Sequence, residues 1–424
     1  YLGSGVTLNE SGLPVVQGNA MASDGDTLVL GAQLDGADYG AVFVYQWVGG
    51  AWEEQAKLYP DDRGVGGQGF GFSVDVEGDW LVVGAPDDQA NGAYSGAAYL
   101  FERTSGSWQQ AAKLTADDAA AADAFGLSVD FSGGTVVVGA PGVYVDLNTG
   151  AVLSAAPVVP GANVLDNTSN DSVYVYSRAG ANWLERAQWT WNGADAGRSV
   201  SIDGDLLAIG RPEQDGVGDV RLYRNLSGAW TYEADLTPSD PEQGEAFGWA
   251  VTLDGDRVVA GAPLWDGLDE DGIGAGDNPD QGRAFVFDLN DDGSSWTRVA
   301  RLTAEAGLPT VDAIGEGFAG DRFGLTVAVD GNSVVAGAPS YDVVATDAGA
   351  AYVFYELPDA GSGRTSWSRS SGVSGSGRLE SAAPAGSDPD APLADNFGGG
   401  LALNGDRIVV GKTGYNDTDD SSGT

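Results

Sequence analysis

The 424-residue chain contains no cysteine and no histidine. The first absence excludes disulfides, thiolate nucleophiles and cysteine-based zinc sites. The second removes the commonest general base and metal ligand, so any chemistry would run on carboxylates, Tyr, Ser, Lys or Arg. Basic residues are scarce as well: 20 Lys and Arg, only three of them Lys, stand against 62 Asp and Glu, for a formal charge of −42. Such a surface repels nucleic acid and anionic membrane, both of which need basic patches. It suits salty water, where repulsion is screened, and fits a marine or halophilic source as well as it fits compositional drift. No apolar run approaches the ~20 residues that span a bilayer, so no membrane insertion is expected.

Glycine, by contrast, is abundant at 66 residues, with 12 Trp, 15 Tyr and 13 Phe. That mixture suits many short strands joined by tight turns. Five Asn-X-Ser/Thr sequons begin at Asn9, Asn167, Asn170, Asn225 and Asn416, about the number that chance gives in a chain of this composition.

A 17-residue pattern recurs seven times without gaps. Phe70–Pro86 reads FGFSVDVEGDWLVVGAP, and Phe125–Pro141, Phe247–Pro263 and Phe323–Pro339 repeat it closely. Weaker copies stand at Gln17–Gln33, Ala196–Pro212 and Phe397–Thr413. In each, a short strand leads to a two-residue turn whose Gly supplies positive φ. An apolar strand follows and ends at Gly-Ala-Pro, because Pro cannot donate to a ladder. A small/aromatic strand such as Ala97-Ala98-Tyr99-Leu100-Phe101 comes next, then a Trp-bearing strand such as that at Trp108. Four antiparallel strands per unit, repeated seven times, predict the blades of a β-propeller.

The Phe-Gly…Gly-Ala-Pro repeat resembles the FG-GAP family, whose best-known members are the propeller heads of integrin α subunits, and a bacterial or archaeal-type extracellular member is the implied kind. The resemblance covers roughly residues 17–424 and implies that the repeated Phe, Gly and Pro pack the inner strands, as scaffold. The expected architecture is all-β: one seven-bladed propeller over 1–424, with blades beginning near 17, 70, 125, 196, 247, 323 and 397. The sequence after Gly411 breaks off where a third strand would begin, so the last blade is read as incomplete. Residues 1–16, with Val6-Thr7-Leu8, are expected to supply a closing strand to that blade, because closure removes free sheet edges.

The family also implies calcium in the hairpin between the first two strands of a blade. All seven copies here have a bare Gly-Asp-type turn, too short to wrap a cation that takes six to eight oxygens. Two other acidic stretches are the candidate Ca²⁺ ligands. Asp288, Asn290 and Asp292 have the 1-3-5 oxygen spacing, and Asp266, Asp269 and Asp271 lie in a long connection. In so acidic a chain both also read as solvated loops. Insertions are the stronger functional pointer, since binding residues concentrate on loops held by a rigid scaffold. They are Gly142–Asn170, with an apolar centre, and Leu264–Gln281; both are expected to leave the same face. Trp265 and Tyr144 would stack on sugar rings if exposed. The regularly spaced Trp52, Trp108, Trp183, Trp230, Trp296 and Trp367 read instead as packing between blades. Leu357–Arg378, rich in Ser and Gly, reads as a flexible loop.

Together these features point to a secreted or cell-surface binding or adhesion module, without catalytic residues, that takes a protein or polysaccharide ligand and is part of a larger protein. Self-association as a structural subunit of an extracellular filament or surface layer is the alternative. A carboxylate-based carbohydrate-active enzyme is the third reading, since such chemistry needs only two carboxylates across a cleft.

Overall fold

A computed structural model of the chain describes residues 20–33, 40–63, 69–142, 144–146, 152–153, 164–166, 170–266, 280–304, 320–340, 349–358, 365–369, 378–380, 397–405 and 407–411. The first blade is β1 (Met21–Asp24), β2 (Thr27–Ala32), β3 (Ala41–Val48) and β4 (Ala51–Leu58). The second is β5 (Ser73–Glu77), β6 (Trp80–Ala85), β7 (Ala97–Thr104) and β8 (Ser107–Leu114). The third begins with β9 (Ser128–Ser132) and β10 (Thr135–Ala140). A small sheet of β11 (Tyr144–Asp146), β12 (Val152–Leu153) and β13 (Val164–Asp166) follows, before β14 (Asp171–Ala179) and β15 (Asn182–Trp191) complete the blade. Blade four is β16 (Val200–Asp203), β17 (Leu206–Arg211), β18 (Asp219–Leu226) and β19 (Ala229–Leu236). Blade five is β20 (Val251–Asp254), β21 (Arg257–Ala262), β22 (Arg283–Leu289) and β23 (Trp296–Leu302). Blade six is β24 (Thr326–Asp330), β25 (Ser333–Ala338), β26 (Ala350–Pro358) and, both against β26, β27 (Thr365–Arg369) and β28 (Arg378–Glu380). Last comes a two-stranded sheet of β29 (Leu401–Asn404) and β30 (Arg407–Val410). All blade pairings are antiparallel.

The described residues thus form five four-stranded blades, a sixth with two short strands against its third, and one pair of strands, where the repeat count leads to seven blades. The pair packs on both neighbours. Leu401, Leu403, Ile408 and Val410 lie against Val335 and Val353 of blade six, while Ala402 and Val409 lie against Leu28 and Tyr45 of blade one. Arg407 Nη1 donates to the Gly25 carbonyl at 3.1 Å and to Asp26 at 2.7 Å. The expected closing strand at residues 1–16 lies outside the described residues. Among the described residues, no helix is long and apolar enough to cross a membrane.

The repeat itself is explained at the blade junctions. Gly84, of a Gly-Ala-Pro, sits against the backbone of Gly126, of the next Phe-Gly: a Cβ on Gly84 would lie 1.9 Å from the Gly126 carbonyl oxygen. The same meeting recurs between Gly31 and Gly71, Gly139 and Gly197, Gly210 and Gly248, Gly261 and Gly324, and Gly337 and Gly398. Phe70, Phe125, Phe247 and Phe323 are fully buried, and each packs on the third-strand aromatics of its own blade, as Phe70 does edge-on to Tyr99 at 5.4 Å. The second strands are apolar through their centres because neighbouring blades cover both their faces.

Side chains on the first strands stitch each blade to the next. The residue before the turn glycine accepts from the following blade's turn N–H: Asp24 from Gly78 at 2.6 Å, Glu77 from Gly133 at 2.8 Å, and Asp203 from Gly255 at 2.6 Å. Ser132, Asp254 and Asp330 do the same for Gly204, Gly331 and Gly405. The short acidic turn therefore has a structural use. The fourth-strand tryptophans bridge blades as expected: Trp108 Nε1 donates to Gln55 at 3.2 Å and Trp296 Nε1 to Glu233 at 2.8 Å.

Candidate functional site

Each turn between first and second strands has two residues, from 25–26 to 331–332, and most third-to-fourth turns are as short. The second-to-third and fourth-to-first connections leave by the opposite end of the blades, here the loop face. The strands that flank both long insertions, β10 and β14 in blade three and β21 and β22 in blade five, end at this face, while most of the insertions themselves lie outside the described residues. Ionic clusters fix this face at the base of its loops. In blade two, Lys113 Nζ donates to Asp62 at 2.6 Å and Asp88 at 2.8 Å, and the Tyr99 hydroxyl donates to both carboxylates. Burial pushes the Tyr99 hydroxyl up, and the two charges push it further. In blade three, Tyr174 and Gln188 hold Asp118, which occupies the same place as Asp62. In blade five the fully buried Arg283 donates through Nε to Glu245 at 2.8 Å and through Nη1 to Asp240 at 3.1 Å, where Arg298 and Arg301 also bind.

The candidate calcium ligands fall as follows. Asp288 lies on β22 and takes two hydrogen bonds from Arg257, at 2.7 and 2.8 Å. Asn290 donates to Ser295 Oγ and accepts from Thr297, and Asp292 accepts from the Ser294 N–H at 3.0 Å. These oxygens close a hairpin turn: strand alternation turns Asp288 toward Arg257. Asp266 accepts from the Asp280 N–H at 3.2 Å, while Asp269 and Asp271 lie outside the described residues. Among the described residues, no three carboxylates gather as a metal ion would need. Trp265 is 6 % exposed, with the Arg283 guanidinium 4.9 Å from its ring, so the exposure on which sugar stacking depended is absent. Tyr144 lies on β11, opposite Leu153 and Asp166.

Two features were missed in the sequence. Asp75 and Asp130 occupy the same position of successive first strands, where the other blades have Ala22, Ser201, Thr252, Ala328 and Ala402. Asp75 accepts from the Phe131 N–H at 3.0 Å, Asp130 from the Ile202 N–H at 2.7 Å, and their carboxyls hydrogen-bond each other. Burial, then the charge of Asp130, raises Asp75 well above the usual carboxylate range; burial also raises Asp130. Such a pair holds one proton between two carboxylates. The signal available was a charged residue at a place the other copies give to small ones.

The second is Asp171. Glycines before the third strand bridge to the next blade's Phe, as Gly96 does to Phe125. Between blades three and four both partners change, to Asp171 and Ala196. The Asp171 carboxylate accepts from the N–H groups of Ala194 at 2.8 Å and Ala196 at 3.2 Å through one oxygen. Its other oxygen is buried without a hydrogen-bond partner. Burial raises its pKa to about 7, and the charge of Asp195 adds to the rise against the two amides.

Four-stranded antiparallel blades whose first strands pack side by side in a closed circuit define a β-propeller. The chain carries FG-GAP repeats: the model of that repeat matches residues 52–101, 108–155, 230–287 and 313–354. No curated protein matches the sequence. Among solved structures, a protein from Lactobacillus plantarum is similar at 13% identity and a TM-score of 0.44, over 83% of this chain and 84% of that one.

Proposed function

We propose that this chain is an extracellular, non-catalytic binding module that engages a protein or polysaccharide through its loop face. The observation that carries the reading is the unequal length of the connections. The two-residue turns are spent on contacts between blades, whereas the long 142–170 and 264–281 connections join strands that end at the loop face, beside Asp118 held by Tyr174 and Gln188 in blade three and beside Arg283 with its carboxylates in blade five. The FG-GAP repeats agree with a binding role. The carboxyl pair of Asp75 and Asp130 binds backbone between blades, and this favours binding over hydrolysis.

The propeller is proposed to have seven blades, with β29 and β30 the inner half of the seventh and residues 1–16 its closing strand. Continuous packing from blade six through β29 to blade one supports this count.

The test is to shorten both insertions to the length of blade four's 212–218 connection and to screen the full chain and the variant against arrays of glycans and extracellular proteins. Loss of the parent's ligands with unchanged circular dichroism is the expected result. Ligands held equally by the shortened variant would sink the loop-face reading.

A further inference from the structure

At the junction of blades three and four the repeat departs from its own pattern at four places. The fourth-strand position filled by Leu58, Leu114, Leu236, Leu302 and Leu379 holds Trp189. The position opposite the third-strand aromatic, Glu54, Gln110, Glu185 and Arg298 elsewhere, holds Tyr232. Trp191 lengthens β15 by a pair with Asp171, and Arg211 stands where Ala85, Ala140, Ala262 and Ala338 stand in other blades. Arg211 pairs with the buried Asp219 opposite it, while other blades form the same strand pairings without the three aromatic residues.

The four residues belong to one connected patch. Trp189 stacks on Tyr223 with ring centres 4.1 Å apart, and Tyr223 meets Tyr232 edge-on at 6.4 Å. Tyr232 has the Arg221 guanidinium 5.2 Å from its ring centre, and Arg221 is fixed by two 2.7 Å bonds to Asp235. Arg211, 3.5 Å from Asp235, lies 5.8 Å from the Trp191 ring. Tyr232 is 57 % exposed, and Trp189 and Trp191 are half-buried. An exposed ring held from one side has little rotamer freedom left to lose on binding.

We propose that this patch is a subsite for one neutral pyranose unit of a polysaccharide. The aromatic rings match the apolar C–H face of a sugar ring, and the Arg221–Asp235 pair offers donors and acceptors to its hydroxyls side by side. Neutrality follows from charge: a chain at −42 repels an anionic polymer, and the guanidiniums here are already paired with carboxylates. The subsite rests on the binding reading above and names its ligand class.

The experiment places the full chain on an array of neutral and acidic oligosaccharides and measures the best neutral binder by titration calorimetry. Tyr232→Gln and Trp189→Leu install residues that other blades carry at the same positions, so the fold tolerates them. Each is expected to weaken that binder at least tenfold while the circular dichroism stays the same. An array with no neutral binder overturns the subsite, as does affinity unchanged in Tyr232→Gln. Binding that survives both substitutions but is lost on shortening the insertions would remove this subsite and leave the loop-face reading standing.

Discussion

Asp171 puts a titratable group at full burial where every other described junction has backbone alone. Its folded pKa, about 7, lies above its ordinary 3.8, so the native state holds the proton more tightly than the unfolded chain. The stabilisation is complete below about pH 4 and gone above about pH 7, a change on the order of 4 kcal/mol at most. Asp171→Asn imitates the protonated acid: its carbonyl oxygen accepts from Ala194 and Ala196, and its amide stands at the orphan oxygen. Urea unfolding at pH 4 and pH 8 is expected to show the variant close to the parent at pH 4 and exceeding it at pH 8. Equal pH slopes in the two proteins would mean that the fold does not raise the pKa of this carboxyl. Nothing local in the sequence marks this residue. Its environment is set by Ala196, 25 positions away, just as the proton shared by Asp75 and Asp130 depends on which strands lie side by side. Asp288 shows the converse: its spacing to Asn290 and Asp292 was visible, but Arg257, which decides its role, sits on another strand.

At the scale of the element, the sequence was far more informative, because a blade needs the same contacts each time it is built. Phe70, Gly71 and Gly84 recur at fixed spacing since each meets a fixed partner: third-strand rings for the Phe, and the neighbouring blade's backbone for the glycines. The order of strands within a blade followed from that repetition. Exposure did not: burial of Trp265 under Arg283 is a property of the assembled blade. The glycine contact makes a sharp prediction. In Gly84→Ala a methyl group would meet backbone at 1.9 Å, which side-chain motion cannot relieve, so blades two and three must separate. The cost is roughly 3 kcal/mol, at the upper end for overpacking. Gly25→Ala is the control: nothing lies within 4 Å of its added Cβ, and only its φ of +55° resists, for about 1 kcal/mol. A thermal melt in which the two variants lose equal stability would dismiss the inter-blade contact as the reason for the repeat.

For the whole molecule, charge is the term that no single blade reveals. The stitching between blades uses carboxylates on backbone N–H groups, a bond that is stronger when the carboxylate is ionised but brings no counter-charge. Arginines neutralise part of the remainder, as Arg257 does for Asp288 and Glu356 and Arg221 for Asp235. With only 20 basic residues, most of the 62 acids stay uncompensated, and the compact state carries their mutual repulsion. The unfolded chain spreads the same charges further apart, so screening favours the folded ring. The Debye length falls from about 30 Å at 0.01 M salt to about 3 Å at 1 M, shorter than the separation of most surface carboxylates. The melting temperature is therefore expected to rise by several degrees between those limits in sodium chloride. Sodium and potassium should act alike, since screening depends on ionic strength and not on ion identity. Differential scanning calorimetry across the salt series at constant pH measures this directly. A melting temperature that stays flat or falls would show that the paired and backbone-bound acids already balance the fold, and that the excess charge serves only solubility.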